Sequence, residues 1–362
     1  VTVIAGRTAA LLAAAALLAP GMTRALDLGQ PEVKAFVDEV VAHHHLSRAW
    51  VKKVLGAAEI RPAVIEAMSR PAEHVRPWFE YRALFLTDQR IREGREFYAT
   101  HQSQLEDAAR RSGVPGEIIA AIVGIETSYG RITGQYRVLD ALATLAFDYP
   151  PRAGYFRGEL EQFLLLAREA KFDPVTATGS YAGAMGAPQF MPRSYRAFAV
   201  DGDGDGRIDL WNSWPDIIAS VAHYFVVHGW RPGEPVVATA DLWYPDVEDL
   251  PAGGLDLTQQ VGALRAKGLL FDTTLPDDAP AVFVALRDAD GPTYRVGFHN
   301  FWVITRYNRS NMYALAVSEL AAAIAPGAAP AAGPPGGAAA APPVAPGSAP
   351  GRGPRAERGA TP

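Results

Sequence analysis

Residues 115–127 read PGEIIAAIVGIET, and what this run becomes decides the architecture of the chain. Pro115 suits the first position of a helix and Glu117 its first turn. Ile118, Ile119, Ile122 and Val123 recur at helical spacing, which predicts an apolar stripe turned toward a core. The same spacing carries Glu126 onto that stripe. A carboxyl there is either paired or desolvated, and desolvation raises its pKa. A raised pKa is what a glutamic general acid needs near neutral pH. The competing reading is a Glu at a helix C-terminus that turns out to solvent in the TSYG turn. Gly130 and Gly134 mark a tight loop just beyond, with Tyr129 and Tyr136 offering aromatic faces of the kind that suit sugar rings.

Helical periodicity extends outward from this run. Val33, Phe36, Val37, Val40 and Val41 keep it upstream, as do Val51, Val54 and Leu55. Residues 90–111 read as one long charged amphipathic helix, and Ala153 to Ala170 as another. The character changes after Gly229: residues 233–305 hold Gly, Pro and Asp turns between β-prone runs such as VVATA, AVFVAL, TYRVGF and FWVIT. A helix returns from Ser310 to Ala325. The expected fold is mainly α (α+β): an N-terminal helical region at 26–100, a helical core at 101–232, a small β-rich insertion at 233–305 and a C-terminal core helix at 306–325.

The two ends read differently. Arg7 followed by the Ala- and Leu-rich run 8–18, with small residues Thr23 and Ala25, predicts an export signal over 1–25 cleaved before Leu26. The apolar run is shorter than the roughly 20 residues a membrane span needs. Residues 326–362 are mostly Ala, Pro and Gly without an aromatic, a composition that predicts disorder. The net charge of -5 gives no basic signal for nucleic acid. The absence of cysteine excludes disulfides, thiolate metal sites, cysteine catalysis and lipid attachment through an N-terminal cysteine.

Two further stretches carry chemistry. Residues 179–192, GSYAGAMGAPQFMP, combine small residues that allow close backbone approach with the hydrogen-bonding groups of Ser180 and Gln189; a Met-filled packing loop is the plainer alternative. Residues 201–212, DGDGDGRIDLWN, place Asp201, Asp203 and Asp205 at positions 1, 3 and 5 of a helix-loop-helix calcium loop. Gly206 takes the sharp turn at position 6, and Arg207 offers its carbonyl at position 7. Position 12 is Asn212 in place of the usual bidentate Glu, so Asp216 is the better closing ligand. Ser213 and Asp216 also fit a capping box at a helix start. The consecutive His43, His44 and His45 point in different directions on a helix and do not suggest a shared metal. No HExxH, GxSxG, Walker or dinucleotide motif occurs.

Five stretches taken together resemble the lytic murein transglycosylase B family: VPGEIIAAIVGIETSYG, LDALATLAFDYPPRAGYFRGELEQFLLLA, GSYAGAMGAPQFMP, DIIASVAHYFVVHGW and RYNRSNMYALAVSELA. They occur in family order across nearly the whole expected folded region. The resemblance implies a lysozyme-like core and a lengthened calcium loop over 201–216. It implies Glu126 as the catalytic glutamate and Ser180 and Gln189 as groove residues. It further implies Tyr224 and Phe225 as aromatic groove positions, and Tyr307, Asn308 and Tyr313 as neighbours of the active site. Tyr81 and Arg152 match glycan or peptide contacts, although Pro151 stands where a second basic residue is common. For each aromatic, core packing is the alternative. The missing lipidation cysteine departs from the lipoprotein members and points to a soluble form without a stable membrane anchor; with the export signal, the expectation is a periplasmic protein, taken to be a monomer.

These readings converge on cleavage of peptidoglycan glycan strands. The resemblance implies that Glu126 would protonate the oxygen of the β-1,4 bond between N-acetylmuramic acid and N-acetylglucosamine. By resemblance, it then takes the proton of the muramyl 6-hydroxyl, which closes a 1,6-anhydro ring. A hydrolytic muramidase would need a second carboxylate such as Asp148 or Glu159. A calcium-stabilised wall-binding protein would leave the glycan intact.

Overall fold

Polar caps and turns cut the apolar periodicity into a succession of helices. The computed structural model describes residues 23–69, 76–243 and 254–328. Helices α1 (Pro31–His44), α2 (Arg48–Gly56), α3 (Pro62–Ser69) and α4 (Trp78–Phe85) lead into α5 (Asp88–Thr100), α6 (Gln102–Ser112) and α7 (Gly116–Thr127). Then follow α8 (Val138–Phe147), α9 (Ala153–Glu169), α10 (Pro192–Phe198) and α11 (Trp214–Val227). The side chains of Ser47, Thr87 and Ser213 accept a backbone N–H in the first turns of α2, α5 and α11, satisfying donors that have no partner within the helix. Gly113 ends α6 in the left-handed conformation a C-terminal glycine supplies.

The reading of 115–127 as a helix holds, with Pro115 immediately before its first turn. Its surroundings are more enclosing than one apolar stripe implies. Every residue from Ile118 to Thr127 is buried, and α5, α6, α11 and the later α14 (Asn311–Ile324) pack around it. A helix apolar on all sides belongs in the middle of a bundle, and α7 occupies that place.

Two short ribbons brace this bundle. β1 (Arg24–Ala25) pairs antiparallel with β2 (Glu59–Ile60), and β3 (Tyr136–Arg137) with β4 (Thr178–Gly179). The buried Asp140 of α8 accepts the Glu59 N–H at 2.9 Å, Arg61 Nε at 3.1 Å and Arg137 Nε at 2.8 Å. That carboxylate clamps the N-terminal region onto the helical core through charge-assisted bonds.

After α11 comes a five-stranded antiparallel sheet of order β6-β8-β9-β5-β7, formed by β5 (Val237–Leu242), β6 (Gln259–Gln260), β7 (Leu269–Leu270), β8 (Pro280–Asp288) and β9 (Gly291–Gly297). Helix α12 (Val261–Ala266) lies within it in sequence. Val261, Leu264, Phe283, Val296 and Phe298 belong to an apolar cluster separate from the main core. The chain then re-enters the bundle through α13 (His299–Tyr307) and α14.

Two expectations are corrected. The helix expected over 90–111 breaks at His101, whose φ of -110° ends α5 and opens α6. The His101 ring lies 4.6 Å from the Phe97 ring and 4.9 Å from Trp214, so a tertiary contact accompanies a break that no Gly or Pro announces. The run FWVIT, read as a strand, lies in α13. Its β-branched and aromatic residues mimic a strand, but Phe301, Val303 and Ile304 are buried in the helical core, and packing overrides propensity. Most of the expected signal segment and tail, residues 1–22 and 329–362, lies outside the described residues, whereas Arg24 and Ala25 form β1.

Candidate active site

Glu126 sits in the last turn of α7, only 6% exposed. Its Oε1 accepts a hydrogen bond from the Tyr313 hydroxyl at 2.6 Å. Tyr313 comes from the first turn of α14, where Ser310 caps the helix, and is fully enclosed. Burial pushes the Glu126 carboxyl up to about 7, and the Tyr313 hydrogen bond opposes that rise. Charge on Glu126 in turn resists ionisation of Tyr313, Tyr307 and Tyr224, each already held neutral by burial. A neutral phenol is a donor, and each of these three hydroxyls donates one hydrogen bond.

Two of those hydroxyls build the wall beside Glu126. Tyr307, at the end of α13, donates to the Pro188 carbonyl at 2.6 Å, and Tyr224 of α11 donates to the Arg306 carbonyl at 2.7 Å. Their rings lie 4.8 Å apart. Tyr307 thereby pins the 179–192 loop, which is shaped further by its own bonds. Ser180 Oγ accepts the Ala184 N–H at 3.0 Å, and Gln189 Nε2 donates to the carbonyls of Thr133 and Gly186 at 3.1 and 3.0 Å. Gly186 has φ of 66°, and a Cβ there would meet the Leu210 carbonyl oxygen at 2.2 Å, so only glycine fits. The plainer reading of this loop as packing is partly right: Met185 is fully buried. Its edge nevertheless abuts α7, because the Thr127 hydroxyl donates to the Ala187 carbonyl at 2.9 Å.

Thr127 was not singled out by the sequence reading. It is fully buried beside Glu126 and also accepts the Gly130 N–H at 3.0 Å. A hydroxyl directly after a glutamate at a helix end was the available signal.

The other expected residues divide. Tyr81 of α4 is half-buried, lies 6.3 Å from the Trp78 ring, and is near enough for its charge to oppose ionisation of Tyr313. Asn308 is half-buried immediately after Tyr307. Phe225 is fully enclosed against Trp230 and Tyr307, so it supports the wall from behind and presents no face to a sugar, a correction to its expected groove position. Arg152 lies over the Tyr155 and Phe156 rings at 4.6 and 5.3 Å, contacts that do not reach Glu126.

Neither candidate second carboxylate is positioned by contact with Glu126. Asp148 pairs with Arg24 at 2.6 Å. Glu159 is buried and accepts the Arg193 N–H at 3.0 Å, serving the first turn of α10. Among the described residues, the shift of Glu126 is governed by burial and Tyr313, with no neighbouring acid among its causes.

In the acidic loop, carboxylate oxygens of Asp201, Asp203 and Asp205 lie within 4.8 Å of one another. Backbone N–H bonds, chiefly from Gly206, hold Asp201 below the usual carboxylate range. Asp201 Oδ2 accepts Gly206 N–H at 2.8 Å, and Asp205 Oδ1 accepts Arg207 N–H at 2.8 Å. Convergent carboxylate oxygens around a glycine turn fit a hard cation. Asp216 stands outside that triangle. Its buried carboxylate accepts the Gly202 and Asp209 N–H groups, each at 2.8 Å, and ties the loop to the start of α11. Ser213 caps that helix, but the Asp216 side chain turns into the loop, so the capping box is only half formed.

A family model described as the transglycosylase SLT domain matches residues 29–322. The chain belongs to this transglycosylase SLT family. The membrane-bound lytic murein transglycosylase B of Escherichia coli (strain K12) is 40% identical over 304 residues, 82% of this chain and 83% of that protein. The catenated lytic transglycosylase SltB1 from Pseudomonas aeruginosa is 49% identical, with a TM-score of 0.79 over 82% of this chain and 97% of that one. The Escherichia coli lytic transglycosylase Slt35 in complex with calcium is 40% identical, with a TM-score of 0.75 over 82% of this chain and 94% of that one. The mainly α, lysozyme-like architecture expected from sequence is therefore the architecture of this SLT family member.

Burial of Glu126 has a consequence for stability. Its folded pKa of about 7 lies above the ordinary 4.5, so the fold prefers the protonated acid. That stability is fully present below about pH 4.5 and is lost as pH rises through 7. Glu126→Gln has nothing to titrate there. Between pH 4 and pH 8 the stability difference should move in favour of the glutamine variant by ~3 kcal/mol, measured by urea unfolding. A difference independent of pH would mean that the carboxyl ionises as it does in water.

Proposed function

We propose that this SLT family member is a lytic transglycosylase that cleaves the β-1,4 bond between N-acetylmuramic acid and N-acetylglucosamine in peptidoglycan, with Glu126 as acid and then base. The observation that carries the reading is the buried Glu126 carboxyl, raised to about 7 and held by Tyr313. At neutral pH such a group is protonated in a large fraction of molecules and gives up its proton readily, the balance general acid catalysis needs.

The chemistry follows from that one group. Glu126 delivers its proton to the glycosidic oxygen, and the bond to the anomeric carbon breaks as positive charge spreads over that carbon and the ring oxygen. The resulting Glu126 carboxylate faces that charge, with the Tyr313 hydroxyl donating to it. It then accepts the proton of the muramyl 6-hydroxyl as that oxygen bonds to the anomeric carbon. Glu126 is protonated again, no water is consumed, and the product carries a 1,6-anhydro ring. A hydrolase would need a second group to activate water, and Asp148 and Glu159 are each engaged elsewhere. Ser180, Gln189, Tyr224, Tyr307, Asn308 and Tyr81 are the proposed substrate-binding set around this centre; the fully enclosed Tyr313 acts on substrate only through Glu126, and Arg152 is proposed as a glycan or peptide contact away from Glu126.

In the acidic loop, Asp201, Asp203, Asp205 and the Arg207 carbonyl would hold a calcium ion, with Asp216 at the loop base as the closing ligand. Bound there, calcium supplies structural charge neutralisation. None of these residues touches Glu126 through the bonds described above, and the loop leads directly into the helix bearing Tyr224. Among the described residues no helix is long and apolar enough to cross a membrane. Action on the periplasmic side, after export directed by the N-terminal segment, completes the proposal.

Calcium should raise the melting temperature in proportion to the logarithm of its concentration above Kd. Asp201→Ala with Asp205→Ala should abolish that rise, and an unchanged calcium response in the double variant would remove this loop as the site. Digestion of purified peptidoglycan should release anhydromuramyl ends, one water lighter than muramidase products. Glu126→Gln should fold and bind glycan while losing at least ~10²–10⁴ in turnover. Near-normal cleavage by the folded variant would overturn the role of Glu126, and reducing muramyl ends from the wild type would make the enzyme a hydrolase.

A further inference from the structure

The turn that ends α7 is held by a residue that no motif singled out. Ser128, Tyr129 and Gly130 take φ values of 49°, 61° and 82°. Consecutive non-glycine residues in the left-handed region are strained and persist only where their surroundings over-determine them. Here the surroundings are α5. Arg90, in the first turn of α5, donates through Nη2 to Ser128 Oγ at 3.1 Å, and its backbone carbonyl accepts the Tyr129 hydroxyl at 3.1 Å. One residue therefore grips both strained positions, one through its side chain and the other through its main chain.

The Tyr129 ring is wedged between the two helices. A Cβ on Gly94 of α5 would lie 2.2 Å from the Tyr129 hydroxyl oxygen, and a Cβ on Gly124 of α7 would lie 2.6 Å from its ring. Both helices carry glycine where this side chain crosses them. Glu93, next along α5, binds Arg131 Nη1 at 2.5 Å and closes the far end of the turn. Arg90 is only 9% exposed, its guanidinium stands 5.3 Å over the Phe85 ring, and Nη1 has no hydrogen-bond partner among the described residues. Burying a charge with an unsatisfied donor is costly, and an apolar residue of similar volume often serves fold stability as well or better. The retained charge fits a task of orientation.

We propose that Arg90 is a positioning residue for Glu126: by holding Ser128 and Tyr129 in the left-handed turn, it fixes the last turn of α7 and keeps the Glu126 carboxyl enclosed against Tyr313. The inference rests on the reading of Glu126 as general acid. Loosening the turn lets water reach the carboxyl, which lowers its proton affinity and misplaces it relative to the glycosidic oxygen. The effect falls on turnover and on its pH dependence, since the activity of a general acid declines as pH rises through its pKa.

The test compares Arg90→Met, Ser128→Ala and Tyr129→Phe with the wild type, assaying release of anhydromuramyl products from purified peptidoglycan across pH 5–9. Tyr129→Phe keeps the wedge and removes only the bond to the Arg90 carbonyl; Ser128→Ala removes only the guanidinium's partner. Asp140→Asn, in the clamp between β2 and α8, serves as a control that weakens the fold outside the Glu126 cluster. Arg90→Met should lower kcat about ten- to a hundredfold with KM within about twofold, and the high-pH limb should move to lower pH by about one unit. Tyr129→Phe and Ser128→Ala should move both readouts in the same direction by less. Asp140→Asn should lower the melting temperature without moving the limb. Wild-type kcat and an unmoved limb in folded Arg90→Met would overturn the proposal. Should that variant not fold, the same result in both Tyr129→Phe and Ser128→Ala would do so. A wild type that releases no anhydromuramyl ends would instead overturn the functional reading.

Discussion

The hydrogen bond from Tyr313 to Glu126, made where water is nearly excluded, is the constraint around which the rest of the molecule is arranged. A carboxyl at the end of a central helix must either ionise against a donor or remain protonated. Burial pushes the group up to about 7 while the Tyr313 hydroxyl, 2.6 Å away, pulls it back. The balance leaves an acid that can both give and accept a proton near neutrality. It requires α7 to be surrounded on all sides, which explains why a run as apolar as 118–125 ends in a glutamate.

Holding that balance takes elements far apart in sequence. Tyr313 enters from α14 after the β-rich segment, and Tyr307 and Tyr224 come from α13 and α11. The loop 179–192 is tied to α7 through Thr127 and to α13 through Tyr307. The acidic loop lies one step further out. Its backbone touches the small-residue loop where the Ala187 N–H donates to the Leu210 carbonyl at 2.9 Å, so the acidic loop is joined to the wall of the site by a direct main-chain bond.

Much of this was legible in the chain because the signals are local. The stripe through Ile118, Ile122 and Glu126 marked a helix and a desolvated acid, and DGDGDG marked converging carboxylates around a glycine turn. The five ordered stretches identified the family, and the family model covering residues 29–322 agrees. What the sequence hid was tertiary. Nothing in RIREGREFYATHQSQLEDAARR announces the break at His101, which lies between Phe97 and Trp214. FWVIT has the composition of a strand and folds as a helix because both its neighbours and its partner α14 bury it. Phe225 and Tyr224 are adjacent in sequence, yet one is core and the other turns toward the tyrosine wall; adjacency alone cannot separate them. Arg90 looked like one charge among many on an amphipathic helix, and only the fold brings it against Ser128.

The proposed chemistry turns on the protonation state of one side chain, which can be measured directly. Titration of the Glu126 side-chain carboxyl by carbon-13 NMR should give a midpoint near 7 in the wild type. In Tyr313→Phe the midpoint should rise, because the hydrogen bond that favours the charged form is gone while the ring still excludes water. A wild-type midpoint near 4.5, the ordinary value, would contradict the account by showing a solvated carboxylate where a buried acid is required.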